Sequence, residues 1–172
     1  VPVVADNVKA TASEILIGKV NRPEQDQINY NQLKQDGLLI KTSGNNLILT
    51  GGDKKGVIYS VYTFLDKYLG CRKYTSDFTH VPQQKSIVLQ PIDDVQLPAF
   101  TFRETYYNDM YDPEFMNRHK LHSFEGRGGD KTQWGYWVHT FHSLLDPKEY
   151  GEAHPEYYSF YDGKRHAGSV PS

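Results

Sequence analysis

The chain of 172 residues has very little sulfur: one cysteine, Cys71, and two methionines. A single cysteine excludes an intrachain disulfide and a cysteine-rich zinc site. There is no charge of one sign to speak of. Nineteen basic side chains stand against twenty-one acidic ones, a formal charge of −2. Without a basic excess, general nucleic-acid binding is not expected. No apolar run approaches the roughly 18–20 residues that span a bilayer. The N-terminal Val1-Pro2-Val3-Val4-Ala5-Asp6 has no charged segment followed by an apolar one. A signal peptide is thus absent or already removed. What the chain does have is aromatics, 13% of residues, with balanced charge, as in a globular protein.

These residues are unevenly spread. Split at Leu97-Pro98, the second half holds sixteen of the twenty-three aromatics and six of the seven histidines. Aromatic faces with polar tips, histidine and arginine are what a sugar- or ring-binding cleft needs. For any one of these rings, core packing is the commoner role.

The first half, residues 1–97, reads as mixed α/β. Strands are expected over Glu14–Gly18, Gly37–Lys41, Asn46–Thr50 and Ser86–Gln90. Ser43-Gly44-Asn45 is turn chemistry and should join the middle two as a hairpin. Val57, Ile58, Val61, Phe64, Leu65, Tyr68 and Leu69 recur at helical spacing, with Gly70 as the cap. Residues 91–98 read as a linker. In the second half, Ala99–Glu104 is a strand candidate. Asp112-Pro113 opens a helix running through Lys120 by cap logic. Residues 123–133 read as a Gly- and charge-rich loop. Gly135–Phe141 reads as a strand, Asp146-Pro147 opens another short helix, and Tyr157–Tyr161 with Asp162-Gly163 reads as strand and turn. Strand, helix, strand suggests a βα repeat that has only begun, and two such units cannot close a barrel of eight. A piece of a longer chain is therefore expected.

Gly51 through Leu65, ending in Leu69-Gly70-Cys71-Arg72 with Tyr74 beyond, resembles the small N-terminal α/β domain before the barrel in α-glucuronidases and family 20 hexosaminidases. Glu14–Gly18 with Asn21-Arg22 fits the upstream strand of that domain. Phe102-Arg103-Glu104, Trp137 through Leu145, His154 through Tyr158 and Gly163-Lys164-Arg165 resemble a Bacteroides-type family. That family was long a domain of unknown function and is now partly assigned to family 163 glycoside hydrolases. The resemblance implies a fold: an N-terminal α/β domain of mixed sheet plus helix (1–97), followed by the first βα units of a (β/α)8 TIM-type barrel (98–172), truncated. It implies an activity: a secreted, periplasmic or cell-surface hydrolase of N-acetylglucosamine-containing glycans, an endo-β-N-acetylglucosaminidase on complex N-glycans. The alternatives are a non-catalytic carbohydrate-binding module and an α-glucuronidase-like enzyme. The catalytic carboxylates of the family are expected beyond residue 172, so none is assigned here.

Candidate substrate contacts follow. Arg103 ends the expected first barrel strand, where such enzymes bind ligands. Its guanidinium suits paired hydroxyls or a carboxylate, and the alternative is an ion pair with Glu104 or Asp109. His139 and His142 end the second expected strand and can donate to or accept from hydroxyls. Trp137 could stack on a sugar, or, sharing a face with His139, belong to barrel core. Glu104, Asp109 and Glu125 are the nearest carboxylates for two-carboxylate chemistry. His119 and His122, like His139 and His142, stand three apart and invite a metal. Zinc sites need a third ligand, and the two pairs lie in different expected elements. No metal, cofactor or membrane partner is expected; a glycan is.

Overall fold

The structure, a computed structural model, describes residues 2–123, 136 and 140–167. The chain forms two compact units, Val1–Thr132 and Gln133–Ser172.

The first unit is built on a four-stranded sheet. Its strands are β1 (Ile15–Ile17), β2 (Leu38–Ser43), β3 (Asn46–Gly51) and β6 (Asp93–Gln96), in the order β1-β3-β2-β6. β2 and β3 form the expected hairpin, paired from Leu38↔Gly51 to Ser43↔Asn46. Gly44 takes φ 57° at the first central position of the two-residue turn, where the primed turns that match strand twist require positive φ. β1 runs parallel to β3, with Leu16 opposite Ile48.

Leu38-Leu39-Ile40 and Leu47-Ile48-Leu49 are continuous apolar runs because both faces of the central strands are covered. On one face Leu38, Ile40, Leu47 and Leu49 pack with Tyr59, Phe64 and Ile92. On the other, Leu16, Leu39 and Ile48 pack with Leu33, Val20, Ile28 and Tyr30. That second layer is the segment between β1 and β2, which contains the short helix α1 (Tyr30–Leu33). Each buried aliphatic side chain is worth about 1.5–3 kcal/mol. The first face is closed by α2 (Gly56–Thr63), which continues as a π-turn over Phe64–Tyr68 and stops at Gly70, φ 71°. β3 ends so close to the start of α2 that a Cβ on Gly51 or Gly56 would strike backbone atoms.

Two expectations fail at the edge of this sheet. Ser86–Gln90 is not a strand; Ile87 and Val88 are exposed. The residues read as a linker supply β6 instead, paired with β2 from Leu38↔Gln96 to Lys41↔Asp93. Just before it, Ile92 is buried, its N–H donates to Thr42 Oγ1 (2.9 Å) and its carbonyl accepts from Thr42 N–H (2.9 Å). The polar sequence Asp93-Asp94-Val95-Gln96 suits an edge strand, which charge protects from stray pairing. Asp93 meets Lys41 at 3.6 Å and Asp94 meets Lys67 at 2.8 Å.

Beyond the sheet, β4 (Arg72–Lys73) and β5 (Thr79–His80) make a two-stranded ribbon. α3 (Pro113–Arg118) starts as expected: Asp112 accepts from the N–H groups of Glu114 and Phe115. It ends two residues short of Lys120, which has φ 57°. The strand expected at Ala99–Glu104 is not formed. Arg103 is paired on one side only: its carbonyl accepts from His122 N–H (2.7 Å), while its own N–H goes to the His122 imidazole (3.2 Å). A side chain occupies the place a second strand's carbonyl would take.

In the second unit, Phe141 opens helix α4 (Phe141–Leu144) rather than closing a strand. The rest of the strand expected at Gly135–Phe141 lies mostly outside the described residues, as does most of the 123–133 loop. α5 (Pro147–Tyr150) is capped by Asp146. Tyr157 falls in a 3-10 turn, and β7 (Ser159–Tyr161) pairs antiparallel with β8 (Lys164–His166). Asp162 and Gly163, with φ of 50° and 70°, make the tight turn between them. Among the described residues after 98 there is no parallel strand pair.

Candidate functional site

Arg103 is the best-placed of the expected site residues, and it is deeply engaged within the chain. Its Nε donates to Lys120 O (2.8 Å), Nη1 to Phe100 O (2.5 Å) and Nη2 to Asp36 Oδ2 (3.2 Å). Three of the five N–H groups are used by these bonds. The guanidinium also lies 5.9 Å from the ring centre of Tyr59, a fully buried residue of α2. The partner is therefore neither Glu104 nor Asp109 but Asp36, at the turn into β2.

His122 completes the cluster. Its Nε2 lies 2.7 Å from the same Asp36 oxygen. Because Nδ1 accepts the Arg103 N–H, the ring proton sits on Nε2 and is donated to the carboxylate. Phe102 stacks on the imidazole at 5.8 Å. Burial pushes the Asp36 carboxyl up, but the hydrogen bonds from His122 and Arg103 and the Arg103 charge outweigh it and hold it below the ordinary value. The second oxygen, Oδ1, is enclosed and has no hydrogen-bond partner among the described residues. Asp36, Arg103 and His122 thus tie the segment after Leu97 to the N-terminal sheet.

The other carboxylates of this region are also committed. Asp109 accepts the Ser76 N–H at 2.6 Å, and that bond holds it low. Burial raises the Asp112 carboxyl, but Lys73 at 3.1 Å and the two capped N–H groups bring it below the usual range. A glycosidase acid must be held protonated, with its pKa raised. Asp36, Asp109 and Asp112 are shifted the opposite way, which suits fixed anions. Glu104 is half-buried beside Arg103. Glu125 lies outside the described residues.

The histidine pairs do not converge. His119 is exposed, with Nε2 3.0 Å from Lys73 O and its ring against Phe115, while His122 is buried on Asp36. Among the described residues no three His, Cys, Asp or Glu side chains are grouped to hold a metal. His142 is exposed on α4 of the second unit. Trp137 and His139 lie outside the described residues. Cys71 is half-buried in the wall of a concavity of about 250 Å³, beside Tyr62, Arg72 and Arg118.

Asp36 and Tyr59 were missed from sequence. Asp36-Gly37 before an apolar run reads as turn punctuation, and Tyr59 as one more residue of an amphipathic helix. His122 was visible only as half of a metal-like spacing.

Fold and site together describe a mixed α/β region whose charged cluster locks one segment to another. Residues 1–64 match the glycosyl hydrolase family 67 N-terminus. Residues 73–171 match the family described as Domain of unknown function (DUF4838), and the chain belongs to that family. No curated protein and no solved structure matches the chain.

Proposed function

We propose that this chain forms the N-terminal part of a secreted glycoside hydrolase acting on N-acetylglucosamine-containing glycans. In that reading the parent activity is endo-β-N-acetylglucosaminidase cleavage of complex N-glycans, as in the Bacteroides-type family 163 enzymes. Residues 1–97 are an accessory α/β domain, and residues 98–172 lead into the barrel. The observation that carries the reading is the family 67 N-terminal match over residues 1–64, joined in one chain to the family match over 73–171. The low-shifted Asp36, Asp109 and Asp112 do not supply the protonated acid that this chemistry needs, in keeping with an acid supplied from elsewhere. Sugar contacts at Arg103, Glu104, Trp137, His139 and His142 belong to the proposal residue by residue. For Arg103 they would use the two N–H groups its intrachain bonds leave over.

The test is a glycan-release assay on a complex N-glycoprotein, read by mass spectrometry. The 172-residue chain is compared with the full-length gene product. Release only by the longer protein is expected. Release by the short chain would move catalysis to Glu104, Asp109 and Glu125. Saturable glycan binding with no release by either sample would make this a binding module. A second reading, an α-glucuronidase-like enzyme, rests on the same N-terminal stretch, which resembles the domain preceding the barrel in those enzymes. Competition by glucuronate but not by N-acetylglucosamine would favour it.

A further inference from the structure

We infer that the N-terminal unit carries a second, independent ligand site: a groove on the sheet that takes an uncharged, hydroxyl-rich sugar unit. The groove follows from how the sheet is covered. The segment between β1 and β2 covers β1, β3 and the near side of β2, then turns away at Lys34, φ 53°, to begin β2. β6 is left uncovered on that face. The cross-strand neighbours Leu39 and Val95 form the floor, and Val95 is 51% exposed. The resulting cavity measures about 560 Å³. Small-molecule sites commonly fall between roughly 300 and 1,000 Å³.

Its lining has a definite chemistry. Ile28 and Leu33 extend the aliphatic floor. Above it stand three primary amides, Gln27, Asn29 and Gln32, all exposed. Their side chains make no hydrogen bond to a described residue, so each offers two donors and an acceptor. Ser43 and Lys41 approach from β2, the lysine already paired with Asp93. Glu24 closes one side; its Oε1 accepts from Asn46, while Oε2 is enclosed with no donor to it among the described residues. A flat aliphatic floor under paired donors and acceptors suits the apolar face and the hydroxyls of a pyranose. Lys41, paired with Asp93, is the one cation among the described lining residues, and Glu24 stands alongside, so the lining favours a neutral ligand over an anionic one. The inference uses only residues 23–43 and 95, and stands whether or not the parent protein cleaves glycans.

The probes are N-acetylglucosamine, galactose, mannose and, as the anionic control, glucuronate, each titrated into the 172-residue chain. Binding is followed by amide chemical shifts. We expect a neutral sugar to bind with shifts confined to residues 23–43 and 93–96. The exposed double variant Asn29→Ala/Gln32→Ala should weaken it about tenfold, two modest hydrogen bonds' worth. Val95→Lys, which raises a long side chain from the floor, should abolish it while leaving the thermal midpoint near that of the parent. Shifts elsewhere on the chain, equal binding by both variants, tighter binding of glucuronate than of every neutral sugar, or no binding of any probe would each overturn the assignment.

Discussion

Removing the Arg103 side chain should cost the first unit far more than a surface charge would. Arg103→Ala deletes the ion pair to Asp36, and it also frees the carbonyls of Lys120 and Phe100. The two side chains are only 20% and 9% exposed, so the pair is not a solvated one. Breaking a buried pair costs about 3–5 kcal/mol, because the remaining charge is stranded. His122 still donates to the same Asp36 oxygen, so the lower end, about 3 kcal/mol, applies. Arg103→Lys keeps the charge but cannot reach three acceptors at once, and should cost about half as much. Urea unfolding followed by circular dichroism at neutral pH reads both values. The pH dependence has a fixed sign. The folded Asp36 carboxyl is held below its ordinary value, so its contribution is fully present above the unfolded pKa, about 3.9. It is lost as pH falls through the folded value. The gap between parent and Arg103→Ala should therefore narrow in acid. A loss under about 1 kcal/mol at neutral pH, with sugar affinity reduced instead, would refute the latch and return Arg103 to substrate contact.

Asp112→Ala removes the cap of α3 and the nearer of two carboxylates on Lys73; a loss of about 1–2 kcal/mol in urea unfolding is expected, and none would count against the capping geometry. Gly56→Ala forces a Cβ against the Gly37 carbonyl and the Gly51 backbone, so the variant should lose over about 3 kcal/mol or fail to fold, while Gly44→Ala strains only an open turn. Thr42→Val deprives the Ile92 N–H of its acceptor; hydrogen exchange at Asp94, which pairs with Ile40 on the hydrogen-bonded register, should quicken by about tenfold with the β2–β3 amides little changed.

Local chemistry was legible wherever a residue acts on its own neighbours. The hairpin of β2 and β3, the positive φ of Gly44 and Gly70, and the caps at Asp112 and Asp146 could be read directly, because turn and cap preferences act over two to four residues. The apolar runs of β2 and β3 announced burial, though not which layers would cover them. What the sequence could not convey is pairing between distant residues. β6 is polar and becomes a strand only because β2 offers it an edge and Thr42 holds Ile92 fifty positions away. Arg103 reads as a ligand-binding arginine in any short window. Its partner Asp36 lies sixty-seven residues upstream, and only the folded sheet brings the two to 3.2 Å. The Leu39–Val95 groove is likewise invisible locally, since it is defined by where the covering segment stops. Short-range sterics and hydrogen bonding set the elements; burial and long-range charge pairing, which exist only once the chain is packed, decided what each polar residue is for.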